Sequence, residues 1–463
     1  MFKASVAFQI VLLTLIASCS NSSDSHLQED PAQQIYVGLY NVENAQSLHG
    51  FFSIDPQWTT LSAKSVNNNS VIGLKDLGVF LNRRIFMTEN VFVPPFGSSI
   101  VLEVGGNSSI RRQVQFDASV GNSSVPEFGE EGKRKFTEIL GSNSGLKTPR
   151  ALQFNPKKAT ELWIVNRDSE GAVIVQDAGS ANPKTESRSD VFAAHFMAKV
   201  SSMAFGENGL WATCHESRNE NAGDTDFMGP TLWSADLSIF AKVNQNLGNG
   251  QICGPGSDNR LQGSHMDMLH QSPECMGIAH ESGNAYWVFD GLNGNVVRYD
   301  FVKDHGPGNT DHSDGRLQRY REVKVKRVIG IASHMMIDKS SGWLYIANTG
   351  EGKIIRVDTK SGNKGGAIQS QSEPLAEYVG MQGTKFEEFA AGLKQPSGLV
   401  VAGQKVFVSD YASSEIIAYD IATKKELARV STQAQGIMGL AYGPDNKIWY
   451  VDAKANRVFR LDP

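Results

Sequence analysis

The fold of this chain is read most directly from one stretch near its C-terminus, IWYVDAKANRVFRLD at residues 448–462. An apolar, aromatic-rich run ends at Asp452, four turn-forming residues follow, and a second apolar run ends at Asp462. Short apolar runs of this kind, separated by a tight turn, are typical of neighbouring β-strands. A further apolar run, Met438–Ala441, lies just before them and predicts a strand ahead of the pair.

The same pattern of an apolar run, a turn and an aromatic-rich strand with a polar end occurs six times. The six aromatic-rich strands are Leu162–Asn166, Leu210–Cys214, Tyr286–Asp290, Leu344–Asn348, Val406–Asp410 and Ile448–Asp452. Their spacing of roughly 40 to 75 residues suits a four-stranded unit with loops of variable length. Such a unit cannot bury both faces alone, so six copies predict a closed six-bladed β-propeller over residues 147–463.

The final unit closely resembles the NHL repeat, and so does the unit that runs from Met276 to Asp300. The resemblance covers about residues 146–463 and implies the propeller architecture rather than an activity.

Composition agrees with an all-β protein, and it excludes a largely disordered chain and a nucleic-acid-binding protein. The chain has 463 residues, of which 40% are apolar and 20% charged, so a sizeable core is available and wholesale disorder is excluded. The 45 glycines against 16 prolines favour many tight turns. A net charge of −5 excludes electrostatic capture of nucleic acid as the main function, so we expect no nucleic acid partner.

The N-terminal segment predicts export. Residues 1–18 combine Lys3 with an apolar run too short for a stable membrane span, which is typical of a signal peptide. Ile16–Cys19 resembles the lipobox of bacterial lipoproteins, which implies lipidation of Cys19 and an anchor in the cell envelope, at the outer membrane or cell surface. Residues 19–30 are then a flexible tether.

Two further segments precede the repeats. Alternating apolar and polar runs over residues 31–125 predict a small β-sandwich. Residues 126–146 are expected to form a linker that either leads into the first blade or completes the last one. Three cysteines remain in the body of the exported protein; we expect a disulfide between Cys253 and Cys275, with Cys214 left over, although other pairings stay open.

Histidine supplies the main chemical signal. Seven of the ten histidines fall between residues 215 and 334. Three long insertions, at 215–271, 302–330 and 360–392, are expected in the middle blades, and two of them flank the His-rich region. Five of the six repeat units have Asp or Asn at the end of the aromatic-rich strand, whereas the second has Cys214 followed by His215. By propeller topology His215, His270 and His334 belong to one face, on three consecutive blades. We therefore expect them to converge at the channel mouth as ligands of a divalent metal, Zn²⁺ or Ca²⁺, because three imidazoles with an open position suit catalytic Zn²⁺.

Secondary candidates lie nearby. His265 lies in the loop before His270 and is a further candidate for the same face. His305 and His312, with Asp304 and Asp311, lie in a loop assigned to the opposite face. That loop is either a solvated loop braced by side-chain-to-backbone bonds or a hard-cation site.

A His-bound metal at a propeller mouth resembles the peptidyl-hydroxyglycine amidating lyase group. The resemblance implies lyase or hydrolase chemistry at a metal, with a Tyr and an Arg beside it, for which Tyr299, Tyr411 and Arg150 are the candidates. The alternative is a non-catalytic NHL-type propeller that binds a protein, peptide or glycan partner at the cell surface, since propellers serve both purposes.

Overall fold

The computed structural model describes residues 36–41, 48–65, 70–80, 83–89, 99–105, 107–115, 125–219, 226–246, 261–370 and 373–463. These residues are almost entirely β-strand and turn, and their one α-helix, α1, is the short segment Ala193–Phe196. Among them no helix has the length and apolar character that a membrane crossing requires. The chain divides into two compact units, residues 1–123 and 124–463.

The first unit contains two four-stranded antiparallel sheets. Its strands are β1 (Tyr36–Asn41), β2 (Leu48–Ile54), β3 (Leu61–Ser65), β4 (Val71–Ile72), β5 (Leu74–Phe80), β6 (Arg83–Thr88), β7 (Ser99–Val104) and β8 (Asn107–Gln115). One sheet has the order β1-β2-β6-β5 and the other β4-β3-β7-β8. Phe52 and Phe86 of the first sheet share one buried cluster with Leu61 and Leu102 of the second, so the two sheets have a common core.

The second unit contains six sheets, named I to VI in chain order. Sheet I is β10 (Pro149–Asn155), β11 (Lys158–Asn166), β12 (Gly171–Gln176) and β13 (Lys184–Arg188); sheet II is β14 (Val200–Phe205), β15 (Leu210–His215), β16 (Thr231–Ser234) and β17 (His265–Met268). Sheet III is β18 (Gly277–Ser282), β19 (Ala285–Asp290), β20 (Asn295–Asp300) and β21 (Arg316–Lys324), extended by β26 (Glu377–Gln382) and β25 (Asn363–Ala367).

The remaining sheets follow the same plan. Sheet IV is β22 (Met335–Asp338), β23 (Trp343–Asn348), β24 (Lys353–Asp358) and β27 (Phe386–Ala390). Sheet V is β28 (Pro396–Ala402), β29 (Lys405–Asp410), β30 (Glu415–Asp420) and β31 (Glu426–Ser431). Sheet VI is β32 (Ile437–Tyr442), β33 (Ile448–Asp452), β34 (Arg457–Asp462) and β9 (Lys135–Leu140).

Strand β9 comes from the segment expected to be a linker, and it completes the last sheet rather than leading into the first. It pairs with β34 in an antiparallel register that sets Phe136 opposite Leu461 and Leu140 opposite Val458. The side chain of Asp462 accepts hydrogen bonds from Thr137 of β9 and, at 2.6 Å, from the Lys447 ammonium. The beginning and the end of the second unit are therefore held in one sheet.

The first strands of the six sheets surround a cavity of about 450 Å³. Each contacts the first strand of the next sheet, and β32 contacts β10, so the contacts close into a cycle. The cavity lining is mostly apolar and includes Met203, Ile278, Met336, Val400 and Leu440. The polar side chains considered below therefore lie outside this cavity lining for the most part, at the ends of the strands and in the insertions.

In sheets I, V and VI, the polar residue that ends the second strand binds the backbone of the connection before the sheet. Asn166 accepts a hydrogen bond from the backbone N–H of Lys147 at 3.1 Å, and Asp410 accepts one from Gln395 at 3.1 Å. Asp452 does the same for Gly436 at 3.0 Å. The architectural interpretation of these residues is thus supported by their contacts, since a short polar side chain readily binds nearby backbone.

Candidate functional site

His215, rather than Cys214, takes the place of Asp or Asn in the second repeat unit, because β15 ends at His215. Its Nδ1 donates to the Gly229 carbonyl at 2.9 Å, and its Nε2 lies 2.9 Å from Thr213 Oγ1. Burial lowers the pKa of His215 to about 3, so the ring is neutral near pH 7. Both ring nitrogens therefore contact groups of sheet II or its connection, and His215 ties the end of β15 to the segment before β16.

His334 lies just before β22 and also serves the architecture. Its Nε2 donates to the Arg150 carbonyl at 3.0 Å, and burial lowers its pKa to about 4. Nearby, Glu216 accepts from the Gly330 N–H at 2.5 Å and lies 3.6 Å from the Arg150 guanidinium. The residue that His334 contacts therefore also takes part in a buried ion pair.

His215 and His270 lie at the same end of sheet II, as expected, but on different strands. In sheet II, Thr213 pairs with Thr231 and Thr231 with Met268, so the ends of β15 and β17 lie at one end of the sheet. His270 nevertheless follows the fourth, outermost strand, His215 ends the second, and His334 precedes a first strand. Within the described chain, the expected triad is not among the groups whose ligand atoms lie within 4.8 Å of one another. The position of a residue at one end of a strand specifies the face of the sheets on which it lies. Its distance from the central cavity depends on which of the strands carries it, and this differs for the three histidines.

The structure instead gathers His270 with His312 and Glu373, whose ligand atoms all lie within 4.8 Å of one another. His270 Nδ1 is 2.6 Å from Glu373 Oε2, and the His270 backbone N–H donates to Glu373 Oε1 at 2.6 Å. The three residues come from the three long insertions, one from each: His270 follows β17, His312 precedes β21, and Glu373 lies between β25 and β26. We call these residues, with His195, the histidine cluster.

His195 of α1 extends the cluster on its buried side. Its Nε2 lies 3.2 Å from His270 Nε2, and the Phe227 ring stacks on His270 with centroids 3.7 Å apart. Burial, reinforced by the neighbouring His270, lowers the pKa of His195 to about 2, so this imidazole is neutral. A neutral, enclosed imidazole is the form that binds metals.

His312 and Glu373 carry the charge of the cluster. Burial acts to lower the pKa of His312, but its hydrogen bond to Asp267 and the nearby Glu373 raise it overall. Burial likewise acts to raise the pKa of Glu373, but the attraction of His270 and His312 lowers it overall. The cluster thus contains an ionised carboxylate, that of Glu373, which attracts a positively charged group such as a protonated imidazole or a metal cation.

Of the secondary candidates, His265, Asp304 and Asp311 bind nearby backbone groups, whereas His305 belongs to a second cluster of ligand atoms. His265 bonds the Gln262 carbonyl through Nδ1 at 2.8 Å and stacks on Phe196, so its role is structural. Asp304 accepts from the Gly306 N–H at 3.3 Å and Asp311 from the Ser313 N–H at 3.0 Å, as expected of turn residues.

The second group is Asp267, His305 and Asp314, whose ligand atoms also lie within 4.8 Å of one another. His305 Nε2 is 2.8 Å from Asp314 Oδ1. The loop of His305 and His312 follows β20 of sheet III. It runs beside β17 of sheet II, where the Gly308 N–H donates to the His265 carbonyl at 2.7 Å. His312 therefore reaches the histidine cluster from a loop assigned to the other face.

A polar cleft of about 270 Å³ adjoins the histidine cluster and is lined in part by His270, Asn293, Arg319, Arg321 and Lys324. Arg319 is buried and already paired with Asp290 at 2.7 Å. Arg321 and Lys324 are exposed. The cleft therefore presents two solvated cations beside His270.

The disulfide differs from the expected one. Cys275 pairs with Cys214, whose Cα lies 5.2 Å away, and not with Cys253. Cys214 belongs to β15 of sheet II, and its Sγ lies 3.4 Å from the Gly277 carbonyl at the start of sheet III. Because Cys275 directly precedes sheet III, the disulfide links neighbouring sheets II and III. Both Cys253 and the predicted lipidation site Cys19 lie outside the described residues.

His195 and Glu373 were missed by sequence reasoning. His195 stands alone among apolar residues in FAAHF, and Glu373 lies in the polar stretch QSQSEP, so neither belongs to a metal-binding motif. Tyr299 donates to Ser272 Oγ at 2.7 Å in the interior, whereas Arg150 is paired with Glu216 at 3.6 Å. None of the residues expected beside a mouth metal is in the histidine cluster.

Comparisons with known proteins return structures and no family. No family model matches the chain, and no curated protein matches it. An auxiliary nutrient binding protein from Bacteroides ovatus is similar over 94% of this chain and 99% of its own, at 12% identity and a TM-score of 0.45. Virginiamycin B lyase from Staphylococcus aureus matches 72% of this chain and 100% of its own, at 12% identity and a TM-score of 0.41. A calcium-binding protein, regucalcin, from Agrobacterium tumefaciens matches 70% and 93%, at 13% identity and a TM-score of 0.42. The resemblances to the NHL repeat and to amidating lyases stay predictions.

Proposed function

We propose that this chain is an exported, lipid-anchored protein, built of a small β-sandwich and a six-bladed β-propeller, that binds a divalent metal ion in the histidine cluster. The metal ion would take part in lyase or hydrolase chemistry on a ligand held in the adjoining cleft. The observation that carries this proposal is the convergence of His270, His312 and Glu373 within 4.8 Å of one another.

The architecture is supported by the six sheets and their cyclic contacts. The first strands contact one another in sequence order and close through β32 and β10, while β9 joins β34. A strand from the start of the unit that completes the last sheet ties the two ends of the ring together, as is common in propellers. The lipid anchor rests on the sequence around Cys19.

The donor set suits a borderline divalent metal. Two imidazoles and a carboxylate are a ligand combination used for Zn²⁺ at catalytic sites, where a fourth position takes water or substrate. The Asp267 carboxylate lies 2.8 Å from His312 Nδ1. A carboxylate behind a ligating histidine fixes the tautomer that presents the other nitrogen to the metal. When bound, the ion would supply a Lewis acid for polarising a carbonyl or activating water.

The cleft indicates the chemical class of the ligand. His270 lies at its wall, and the exposed Arg321 and Lys324 give it an excess of positive charge, because Arg319 is paired with Asp290. An anionic ligand with one end near His270 and an anionic group near Arg321 would match this distribution.

A second candidate function follows from the enclosure of the cluster. His270 is only 4% exposed and the Glu373 side chain 5%. A closed site of this kind suits a structural ion that holds three insertions together in a non-catalytic propeller, with the cleft binding a protein, peptide or glycan partner. The two functions differ in whether a small anionic ligand is converted or merely bound.

The test is zinc binding by the full-length protein purified in detergent. We expect one equivalent of Zn²⁺ by elemental analysis after loading, and Co²⁺ substitution to give the visible absorption of a low-coordinate His site. Glu373→Gln should lose the ion, because it removes the carboxylate charge while keeping the side-chain volume. His280→Gln, at the cavity wall, is the matched control and should retain it. A wild-type protein that stays free of Zn²⁺, or a Glu373→Gln variant that loads like wild type, would overturn the proposal.

A further inference from the structure

We propose that Asp267, His305 and Asp314 form a second cation site, selective for a hard divalent ion such as Ca²⁺ or Mn²⁺ and separate from the histidine cluster. This site stands on its own residues, so it would exist even if the histidine cluster bound no metal. One ligand atom from each residue lies within 4.8 Å of the others.

The Asp267 carboxylate is an independent sign that something is bound there. Its side chain is 0% exposed, yet its Oδ2 has no hydrogen-bond partner within the described chain. A buried carboxylate oxygen without a partner is costly, and groups of this kind are normally satisfied by hydrogen bonds or by an ion. The Asp314 side chain is 26% exposed, but its Oδ2 atom is also buried and without a hydrogen-bond partner among the described residues. A cation between the two carboxylates would satisfy both atoms at once.

The donors indicate the kind of ion. Two carboxylates dominate this site, and Asp311 Oδ2 lies 3.9 Å from His305 Nδ1, near enough to contribute through a small loop movement. Carboxylate-rich sites favour Ca²⁺ or Mn²⁺, whereas imidazole-rich sites favour Zn²⁺. The two groups should therefore discriminate between ions.

The loop that supplies His305 and Asp314 is held in place without the ion. Gly308 exchanges backbone hydrogen bonds with Gln262 at 2.9 Å and His265 at 2.7 Å, which fixes the loop against β17, the strand of Asp267. A site with one rigid carboxylate and a braced loop requires little ordering when the ion binds.

The two sites are linked by one hydrogen bond. Asp267 Oδ1 lies 2.8 Å from His312 Nδ1, so the residue that would bind the hard cation also orients a ligand of the histidine cluster. Changes behind a metal ligand typically alter metal affinity by about 10- to 100-fold. Linkage is reciprocal, so occupation of either site should change affinity at the other by the same factor.

The experiment measures binding of Tb³⁺, a luminescent probe for Ca²⁺ sites, and of Ca²⁺ itself to the full-length protein in detergent. Wild type should bind one Tb³⁺ that Ca²⁺ displaces, and Asp314→Asn should weaken this binding at least tenfold. Asp304→Asn is the matched control: it removes a carboxylate from the same loop that only braces the Gly306 N–H, and it should bind as wild type does. Glu373→Gln should keep the Tb³⁺ site, which separates this proposal from the one for Zn²⁺.

Three results would overturn the proposal. They are a wild type without a Ca²⁺-displaceable Tb³⁺, equal binding by Asp314→Asn and wild type, and equal losses in Asp314→Asn and Asp304→Asn. Circular dichroism of each variant shows whether a loss reflects misfolding; if Asp314→Asn misfolds, His305→Gln is measured in its place against the same expectation. Loss of Zn²⁺ alone from Glu373→Gln, with Tb³⁺ retained, supports both proposals independently.

Discussion

Replacing Cys275 by Ala should lower the stability of the second unit substantially, because the disulfide to Cys214 closes a long loop. The two cysteines are 61 residues apart in sequence. In the chain-entropy model a loop of this length corresponds to about 4 kcal/mol of stabilisation at 25 °C. For a unit of this size that amount corresponds to a decrease in melting temperature of about 6 °C.

The assay is urea unfolding of the full-length protein, followed by circular dichroism, together with peptide mapping under non-reducing conditions. Cys275→Ala should have a lower midpoint than wild type, and wild type treated with a reductant should approach the same value. Cys253→Ala is the matched control, and its midpoint should equal that of wild type.

The reasoning would be refuted by a mapped peptide that joins Cys253 to Cys275. It would also be refuted if Cys253→Ala lost as much stability as Cys275→Ala. Either result would restore the pairing expected from sequence and remove the covalent link between sheets II and III. If wild type and Cys275→Ala unfolded at the same urea concentration, the bond would be absent or without effect on stability.

Three other predictions concern the buried Arg150–Glu216 ion pair, the last sheet and the cleft. Glu216→Gln leaves the buried Arg150 without its carboxylate and should cost about 3–5 kcal/mol in urea unfolding; a loss below 1 kcal/mol would contradict the ion-pair account. Burial acts to raise the pKa of Asp462, but its hydrogen bonds lower it to about 2. The ionised form thus adds about 2 kcal/mol of stability above pH 4, lost as pH falls towards 2, so Asp462→Asn should be less stable at pH 7 and equal to wild type near pH 2. Arg321→Glu should weaken binding of inorganic phosphate, measured by calorimetry, on the order of tenfold, and an unchanged affinity would exclude the cleft as an anion site.

Much of the β architecture could be predicted from the sequence, because it depends on local patterns. The apolar runs that end at Asn166, Asp290, Asn348, Asp410 and Asp452 are all second strands of their sheets. Alternation, turn residues and a polar strand end are short-range features, and each repeat unit carries them within its own sequence. The departure at the second unit was real as well, although its residue is His215 and not Cys214.

The partner of β34 could not be predicted in the same way. Strand β9 precedes the repeats by position and belongs to the last sheet by pairing. A sheet edge accepts any strand of suitable length and polarity, so local sequence does not specify a partner more than 300 residues away.

The site depended on the tertiary structure most of all. Clustered histidines indicated a metal and the sequence placed His215, His270 and His334 on one face, but only His270 lies in the histidine cluster. Glu373, with no motif around it, reaches His270 because β26 adds in parallel to the edge of sheet III.

By itself, then, the amino-acid sequence determined the all-β class of fold and the repeat of its sheets, since these follow from residue type and short-range spacing. Which imidazoles and carboxylates meet was decided only by the tertiary structure. Insertions can lie anywhere around a rigid set of sheets, and their ends are brought together by packing and hydrogen bonds between segments far apart in the chain.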